Sequence, residues 1–477
     1  MPLSAEYRPS VQHANLGADF YDIVRAAQFP QHILRYRNHR WAARTGLDTL
    51  TDEEWIAHFG RFEPLPGSLQ EPLALRYHGH QFRTYNPYLG DGRGFLFAQL
   101  HDLRDGRLLD LATKGSGQTP WSRHADGRLT LKGGVREVLA TEMLEALGVE
   151  TSKSFSLIET GEELERNDEP SPTRSSVLVR LSHSHIRIGT FQRLLFLDEI
   201  ENLRKLLDYT IRTYMPDLWR EDEPGRAAAF LEEVCRRVAR MGAQWMAAGF
   251  VHGVLNTDNI NITGESFDYG PWRFIPAYDP GFTAAYFDET GLYAFGRQPD
   301  ALLWNLFRLA ECFLPLAPQP DLERALAAFE PALHREFTAA LLRRLGLMSA
   351  GPERDGPLAK ALWTFLHESK APFEQTLFDW YGGLRSTGRA ERSPSAALYT
   401  QPAFQPVRAA LEGFEPDPAA RLDHPYFARS TPCTMLIEEV EAIWAPIAAN
   451  DDWSAFAAKL REIGVMAEAY GTIAESP

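Results

Sequence analysis

The sequence contains little of what a disulfide-stabilised or membrane protein needs. Only three of its 477 residues are cysteine, and Cys235, Cys312 and Cys433 lie far apart without the paired spacing of a zinc site. We expect these thiols to be reduced and structural. No run of about 18 apolar residues occurs, and Met1 to Ala14 lacks the apolar core of a signal peptide. The sequence therefore predicts a cytoplasmic protein with no membrane partner.

Positive charge is also scarce. Lys and Arg number 49 against 64 Asp and Glu, which gives a formal net charge of −15. This balance disfavours general binding to a nucleic-acid backbone, so we predict no nucleic-acid partner, although local basic pockets are compatible with it. Hydrophobic residues make up 44% of the chain, enough to bury a large core in more than one lobe.

Strand-like and helix-like segments are separated along the chain. Strand patterns concentrate between about residues 75 and 195, where 155–158 and 177–181 are predicted strands joined by an acidic loop over 160–175. Apolar residues at helical spacing follow, over 230–248, 321–345 and 357–384. The segregation predicts an α+β architecture with a strand-rich first lobe and a mostly helical second lobe.

The most informative motif is His252-Gly253-Val254-Leu255-Asn256-Thr257-Asp258-Asn259, followed by Asp268-Tyr269-Gly270. A kinase catalytic loop has His-x-Asp, then a metal-binding Asn, then a metal-binding Asp-x-Gly. Asn259 and Asp268 fit this pattern and suit Mg²⁺, but Val254 occupies the position of the base and cannot accept a proton. The chain has therefore either lost catalytic activity or catalyses a reaction that differs from that of a kinase. In the second case, Asp258 is the carboxylate in the loop that could replace the base. A turn aspartate is the alternative for Asp258. Residues 260–262 are predicted to form a short strand.

A glycine-rich segment precedes the first long strand. Gly90, Gly92 and Gly94 alternate before an apolar run, and residues without a Cβ let backbone amides approach an anion closely. A tight hairpin turn would use the same residues. Arg93 lies among them.

A strand over 108–113 delivers Lys114, and a helix over 135–147 carries Glu137. A lysine on a strand paired with a helical glutamate is how kinase-like folds hold a phosphate-binding ammonium group. Without that pairing, Glu137 would be a solvated carboxylate in the first turn of a helix. Gly148 is a plausible end for this helix.

Further polar groups lie between these segments. Asp126 and Gly127 form a predicted turn, and Arg180 and Arg187 could bind phosphate through bidentate guanidinium groups or be ordinary surface arginines. His183 and His185 lack a third nearby ligand, so we predict loop or packing roles for them.

Taken in order from Tyr77 to Phe295, these motifs resemble the selenoprotein O family of protein adenylyltransferases, which have a pseudokinase fold. The resemblance implies a protein-kinase-like two-lobed fold that binds ATP in an inverted orientation and transfers AMP to Ser, Thr or Tyr hydroxyls of acceptor proteins. It also implies a role for each matching residue: Gly90, Gly92 and Arg93 contact the nucleotide; Lys114, Asp126, Gly127, Arg180 and Arg187 complete the phosphate pocket; Glu137 pairs with Lys114; Asn259 and Asp268 hold Mg²⁺ or Mn²⁺ next to the nucleotide; Asp258 accepts the proton.

The same resemblance suggests a division of the chain. It implies an N-terminal extension (1–74), a kinase-like N-lobe with the phosphate pocket (75–195), a C-lobe with the catalytic loop and metal site (196–345) and a helical C-terminal extension (346–477). Family members commonly carry a cysteine after the Pro280-Gly281-Phe282 position, where this chain has Ala284 and Ala285. A family-type redox switch is therefore not expected.

Three other functions share these motifs. One is UMP transfer from UTP with Mn²⁺, because nothing in the sequence fixes the base-recognition pocket. Another is kinase-like transfer of the terminal phosphate. The last is a nucleotide-binding pseudokinase that acts as a scaffold without catalysis.

Overall fold

The computed structural model describes residues 4–472 and has an α+β architecture, as predicted. The strands are β1 (Pro9–Ser10), β2 (Tyr21–Ile23), β3 (Ile33–Arg37), β4 (Leu73–Leu75), β5 (Gly79–Gln81), β6 (Thr84–Asn86), β7 (Leu96–His101), β8 (Leu108–Lys114), β9 (Leu129–Thr130), β10 (Lys153–Leu164), β11 (Thr173–Ser182), β12 (Phe250–Val251) and β13 (Arg273–Phe274). The helices are α1 (His39–Thr45), α2 (Asp52–Phe59), α3 (Leu131–Ala146), α4 (Ile188–Phe196), α5 (Ile200–Tyr214), α6 (Glu223–Ala247), α7 (Gln298–Cys312), α8 (Gln319–Leu326), α9 (Phe329–Arg344), α10 (Pro352–Ser369), α11 (Phe373–Asp379), α12 (Thr387–Arg392), α13 (Ala396–Tyr399), α14 (Gln405–Leu411), α15 (Ile437–Asn450) and α16 (Ser454–Tyr470).

One large antiparallel sheet occupies the first part of the chain. Its strand order is β2-β4-β7-β8-β11-β10-β3, with β1 paired to β7 and β9 paired to β11. The strand-rich part therefore begins at Pro9, and the expectation that it begins near residue 75 was wrong. The early strands have only two to five residues, all partly or fully exposed, so they carry no alternating apolar pattern from which they could be predicted.

The predicted strands at 155–158 and 177–181 are confirmed as parts of the β10–β11 hairpin. Their connection is shorter than the predicted loop, because β10 continues to Leu164 and β11 starts at Thr173. Charged side chains extend the pairing: Arg174 Nε donates to Glu159 Oε1 on the neighbouring strand at 2.6 Å. Part of the polar segment that indicated a loop therefore forms the ends of β10 and β11 next to the hairpin turn.

Helix α3 lies across the sheet and begins at a capping residue, Thr130, whose Oγ1 accepts from the Gly133 amide at 3.1 Å. Its apolar stripe, which includes Val135, Val138 and Leu139, is fully buried. Gly148, two residues beyond the helix, has a φ of 80°, which confirms the predicted helix end.

Helices dominate the rest of the chain, but two predicted helices are each divided. The segment 321–345 forms α8 and α9, which are separated at residues 327–328. The segment 357–384 forms α10 and α11, because Lys370 has a left-handed φ of 53° and Pro372 precedes the second helix. Between Ser4 and Thr472, no helix combines the length and apolar content required to cross a membrane.

The last two helices return to the sheet region. Residues of α15 and α16 share one apolar core with α3. Lys132 Nζ contacts Glu441 Oε2 at 2.7 Å, and Asp451 accepts from Arg35 on β3 and Arg174 on β11. All three cysteines are buried and free of disulfides, which agrees with structural roles.

Candidate active site

The catalytic-loop motif follows the longest helix directly. Helix α6 ends at Ala247, Gly249 turns the chain with a φ of 65°, and β12 leads into the loop, where Thr257–Asn259 form one 3-10 turn. The predicted strand at 260–262 was wrong, because only Asn261 forms a bridge, to Arg187. Its partner segment, residues 186–188, is the end of a loop and the start of α4 and provides no continuing strand.

The Val254 backbone takes part in the hydrogen bonding of the catalytic loop. Its carbonyl oxygen accepts a hydrogen bond from Asn259 Nδ2 at 3.1 Å. This bond uses the nitrogen of the Asn259 amide and leaves the amide oxygen for another partner.

Asp258 is a buried carboxylate with an unused oxygen. The residue is 8% exposed, and Oδ1 has no hydrogen-bond partner within residues 4–472. A Cβ at Gly79 would lie 3.0 Å from this oxygen, so glycine at that position keeps the space beside it open. Burial raises the pKa of Asp258 to about 7, against the opposing charge of Arg187. The carboxyl can therefore exchange a proton near neutral pH.

Asp268 is the centre of a charged cluster that joins the sheet to the loop region. Lys114 Nζ contacts Asp268 Oδ1 at 2.9 Å and also contacts Glu137 Oε1 of α3. Arg180 Nη1 lies 3.1 Å from the same Asp268 oxygen. Burial would raise the pKa of Asp268, but Lys114 and Arg180 outweigh it and hold that pKa well below its usual range. The predicted ion pair between Lys114 and Glu137 is present.

Arg187 connects this cluster to Asp258. Its Nη1 donates to the Asp258 backbone carbonyl at 3.2 Å, and Nη2 lies 3.5 Å from Asp91 Oδ1. The guanidinium group stacks on Tyr77, with its carbon 4.1 Å from the ring centroid. Sequence reasoning missed Asp91, although it stands inside the glycine-rich motif, and missed Tyr77, for which spacing provided no signal.

The glycine-rich segment packs tightly against other residues of the protein. A Cβ at Gly90 would come within 2.3 Å of the Trp121 side chain, and one at Gly92 within 2.8 Å of the Trp121 carbonyl. At Gly94 the nearest atom would be the Thr113 carbonyl, at 2.0 Å. Glycine is therefore required here by packing, whatever else it does. Arg93 is exposed, and its charge is among those that lower the pKa of Asp268.

Asp126 and Gly127 make no hydrogen bond or ion pair with this cluster in the part of the chain that the structure describes. Asp126 is exposed and pairs with Arg166 of the β10–β11 connection at 2.8 Å. Gly127 has a φ of 69°, and its carbonyl accepts from the Gly117 amide at 3.1 Å. His183 Nδ1 donates to the Leu108 carbonyl, which agrees with the predicted packing role.

The β5–β6 hairpin is a further neighbour of the catalytic loop that the sequence did not reveal. The His80 amide donates to Thr257 Oγ1 at 2.7 Å, and the Phe82 amide donates to Asn256 Oδ1 at 3.1 Å. These bonds fix the residues on the N-terminal side of Asp258. The two-residue turn of the hairpin gave no signal because Phe82 and Arg83, both at positive φ, replace the usual Asn-Gly pair.

The available donors suit a hard divalent cation. Asn259 offers an amide oxygen and Asp268 a carboxylate, and within residues 4–472 no group of three or more His, Cys, Asp or Glu could hold a metal by itself. Mg²⁺ typically binds through one or two protein oxygens together with water and substrate phosphates. The two residues therefore fit a cation that a nucleotide helps to bind.

Comparison with known proteins identifies the family to which this chain belongs. A family model described as "Protein adenylyltransferase SelO" matches residues 2–464. The chain belongs to the SelO family. A "Protein nucleotidyltransferase YdiU" from Gloeobacter violaceus is 46% identical over 463 residues, covering 95% of this chain and 94% of the relative. Another with the same description, from Trichodesmium erythraeum, is 43% identical over 474 residues, covering 97% and 98%. As a SelO-family member, the chain is a protein nucleotidyltransferase.

Proposed function

We propose that this enzyme transfers AMP from ATP to a Ser, Thr or Tyr hydroxyl of an acceptor protein and releases pyrophosphate. The observation that carries the proposal is Asp258. It combines a buried, unpartnered oxygen with a pKa near 7, a short distance along the chain from a valine that cannot be a base. We further propose that the sheet with α3 and the helical region correspond to the two lobes of a kinase-like fold.

The proton transfer follows from the position of Asp258. A new bond forms between the acceptor oxygen and the α-phosphorus, and the bond from that phosphorus to the oxygen bridging to the β-phosphate breaks. The hydroxyl proton passes to Asp258 Oδ1, and pyrophosphate departs with the electron pair. Burial favours this role because the ionised carboxylate is poorly solvated before it accepts the proton.

The cationic residues would receive the phosphates. Lys114, Arg180 and Arg187 present their charges around Asp268 and Asp258, and Glu137 orients Lys114. Such preorganised cations stabilise the charge that grows on the leaving pyrophosphate. A Mg²⁺ or Mn²⁺ ion held by Asn259 and Asp268 would supply neutralisation of the phosphoryl oxygens when bound.

Gly90, Gly92, Arg93, Asp126 and Gly127 remain proposed nucleotide contacts. Arg93 has the best support, since its charge acts on Asp268. Asp126 has the least, since it is exposed and engaged by Arg166.

The direct test uses ATP labelled separately at the α- and γ-phosphate, with UTP labelled at the α-phosphate as a third donor. Protein-bound label from α-ATP alone is the expected result. Label from γ-ATP would indicate a kinase reaction, and label from UTP in excess of ATP would indicate UMP transfer. Nucleotide binding without any transferred label would leave a scaffold role and contradict the proposal.

A further inference from the structure

A cavity lined by several cations contains none of the proposed phosphate-binding residues. It has a volume of about 480 Å³, within the range of small-molecule sites. Three carboxylates line it, from Asp105, Glu150 and Glu265. The cations that line it are twice as many: Arg44, Arg104, Arg107, Lys153, Arg237 and Arg240. The lining residues therefore have a positive balance of charge, although the whole chain has a net charge of −15.

Four separate parts of the fold supply these cations. Arg44 comes from α1, Arg104 and Arg107 from the turn between β7 and β8, Lys153 from the start of β10, and the other two from α6. Residues from distant positions therefore converge on one concave surface, which no single helix end or loop could produce.

Several of these groups keep donors available. Arg104 is exposed and has no ion pair with any residue from 4 to 472. Lys153 is 7% exposed; its Nζ donates to the Thr151 carbonyl and lies 3.9 Å from Glu265 Oε1. Arg237 pairs through Nε with Glu233, which does not line the cavity. Guanidinium groups with free Nη donors bind phosphate oxygens in pairs.

The remaining cations are already partly neutralised. Arg44 contacts the buried Asp102, Arg107 lies 3.3 Å from Asp105, and Arg240 lies 3.1 Å from Glu150. These pairs fix the side chains in place, which reduces the entropy lost when a ligand binds. Once the pairs of Arg237 and Lys153 are included, Arg104 is the lining cation without an ion pair among residues 4–472, and Arg237 pairs only through Nε, so two guanidinium groups keep donors for separate phosphate groups.

We propose that this cavity binds a small anion with two or more phosphate groups. None of Lys114, Arg180 and Arg187 lines it, so it is separate from the proposed nucleotide pocket. It lies beside the segment that leads to Asp268, since Glu265 lines the cavity and Asp268 follows three residues later. The Glu265 carboxylate also accepts from the His183 amide at 2.8 Å.

The test is calorimetric titration of the full chain with inorganic pyrophosphate while a non-hydrolysable ATP analogue saturates the nucleotide pocket. Binding should persist under these conditions and weaken at least tenfold in Arg104→Glu. It should be unchanged in Arg324→Glu, which alters an exposed helical arginine outside the cavity. Inorganic phosphate should bind at least tenfold more weakly than pyrophosphate.

Two outcomes would show that pyrophosphate does not bind specifically in this cavity. One is loss of pyrophosphate binding when the ATP analogue is present, which would assign the signal to the nucleotide pocket. The other is an equal effect of Arg104→Glu and Arg324→Glu, which would indicate general charge attraction. Equal binding of phosphate and pyrophosphate would refute the requirement for two phosphates. Because Arg104 is exposed and has no ion pair, we expect the Arg104→Glu variant to fold. Arg240→Gln provides a second variant.

Discussion

Asp258 is the residue on which the proposed chemistry depends. We expect Asp258→Asn to lower the rate of AMP transfer by about 10²- to 10⁴-fold, the usual contribution of a general base, because an amide cannot accept the proton. ATP affinity should change little, since the side-chain oxygen Oδ1 has no partner. Single-turnover kinetics and nucleotide titration measure the two effects separately. A variant with nearly full transfer activity would exclude Asp258 as the base.

Gly94 shows how tightly the glycine-rich segment is packed. A Cβ there would come within 2.0 Å of the Thr113 carbonyl, so Gly94→Ala should destabilise the protein by about 1–3 kcal/mol or more. The matched control is Gly464→Ala in α16, where nothing lies within 4 Å of the added atom. That change should stabilise by about 0.5–1 kcal/mol, since alanine favours a helix. Urea unfolding compares them, and equal effects would contradict the packing argument.

The charged residues of the site were largely predictable from the sequence, and their neighbours were not. Lys114, Glu137 and Asp268 stand in motifs whose spacing reflects a shared geometry, and the structure brings all three together. Asp91 and Tyr77 contact Arg187 only because the chain folds back on itself, and no local pattern records such a contact.

At the level of single elements, α3 positions the ammonium group of Lys114. Glu137 is 1% exposed and contacts Lys114, so Glu137→Gln should keep the side-chain shape but remove the charge that orients the lysine. We expect kcat/KM for ATP to fall at least tenfold while the melting temperature stays within a few degrees. Glu142→Gln, on the same helix but paired with Arg40, is the control. Comparable losses in both variants would argue against a positioning role for Glu137.

Helix α16 packs against α3. Ile463 is 1% exposed within the core shared with α3, so Ile463→Ala should cost about 2–5 kcal/mol. Val465, two residues away and 42% exposed, provides the control, and Val465→Ala should change stability by less than about 0.5 kcal/mol. Denaturant midpoints measure both. A small effect at Ile463 would show that α16 packs only loosely on the core.

Whole elements differ in how far the sequence predicts them. Strands β7, β8, β10 and β11 are long and apolar, and each was recognisable. The three N-terminal strands are too short to show a period, and they exist because neighbouring strands offer free backbone groups. The divided helices preserve their apolar spacing across the break, so periodicity alone could not locate it.

For the molecule as a whole, acid stability should depend on His13. This residue is 3% exposed, neither ring nitrogen has a hydrogen-bond partner within residues 4–472, and burial lowers its pKa to about 4. The His13 ring therefore binds a proton near pH 6.5 in the unfolded chain but only near pH 4 in the folded protein. The free energy of unfolding consequently decreases as the pH falls from about 6.5 towards 4.

Replacing His13 should remove this dependence. Between pH 7.5 and 5.0, His13 should account for a loss of about 2 kcal/mol in the free energy of unfolding, and His13→Leu should abolish that part. His334→Leu, at an exposed position, is the control. Urea titrations at the two pH values provide the measurement. If His13→Leu loses as much stability as the parent protein, other groups govern the acid response.

The antiparallel sheet also constrains the order in which a newly made chain can fold. Strand β3 ends at Arg37, but its partner β10 begins at Lys153, so more than a hundred residues must leave the ribosome before the two can meet. Until then the early strands have exposed edges that could pair with other chains. Their brevity and mixed polarity make them poor templates for such pairing. The short length and mixed polarity that made these strands unpredictable would thus protect the nascent protein from aggregation.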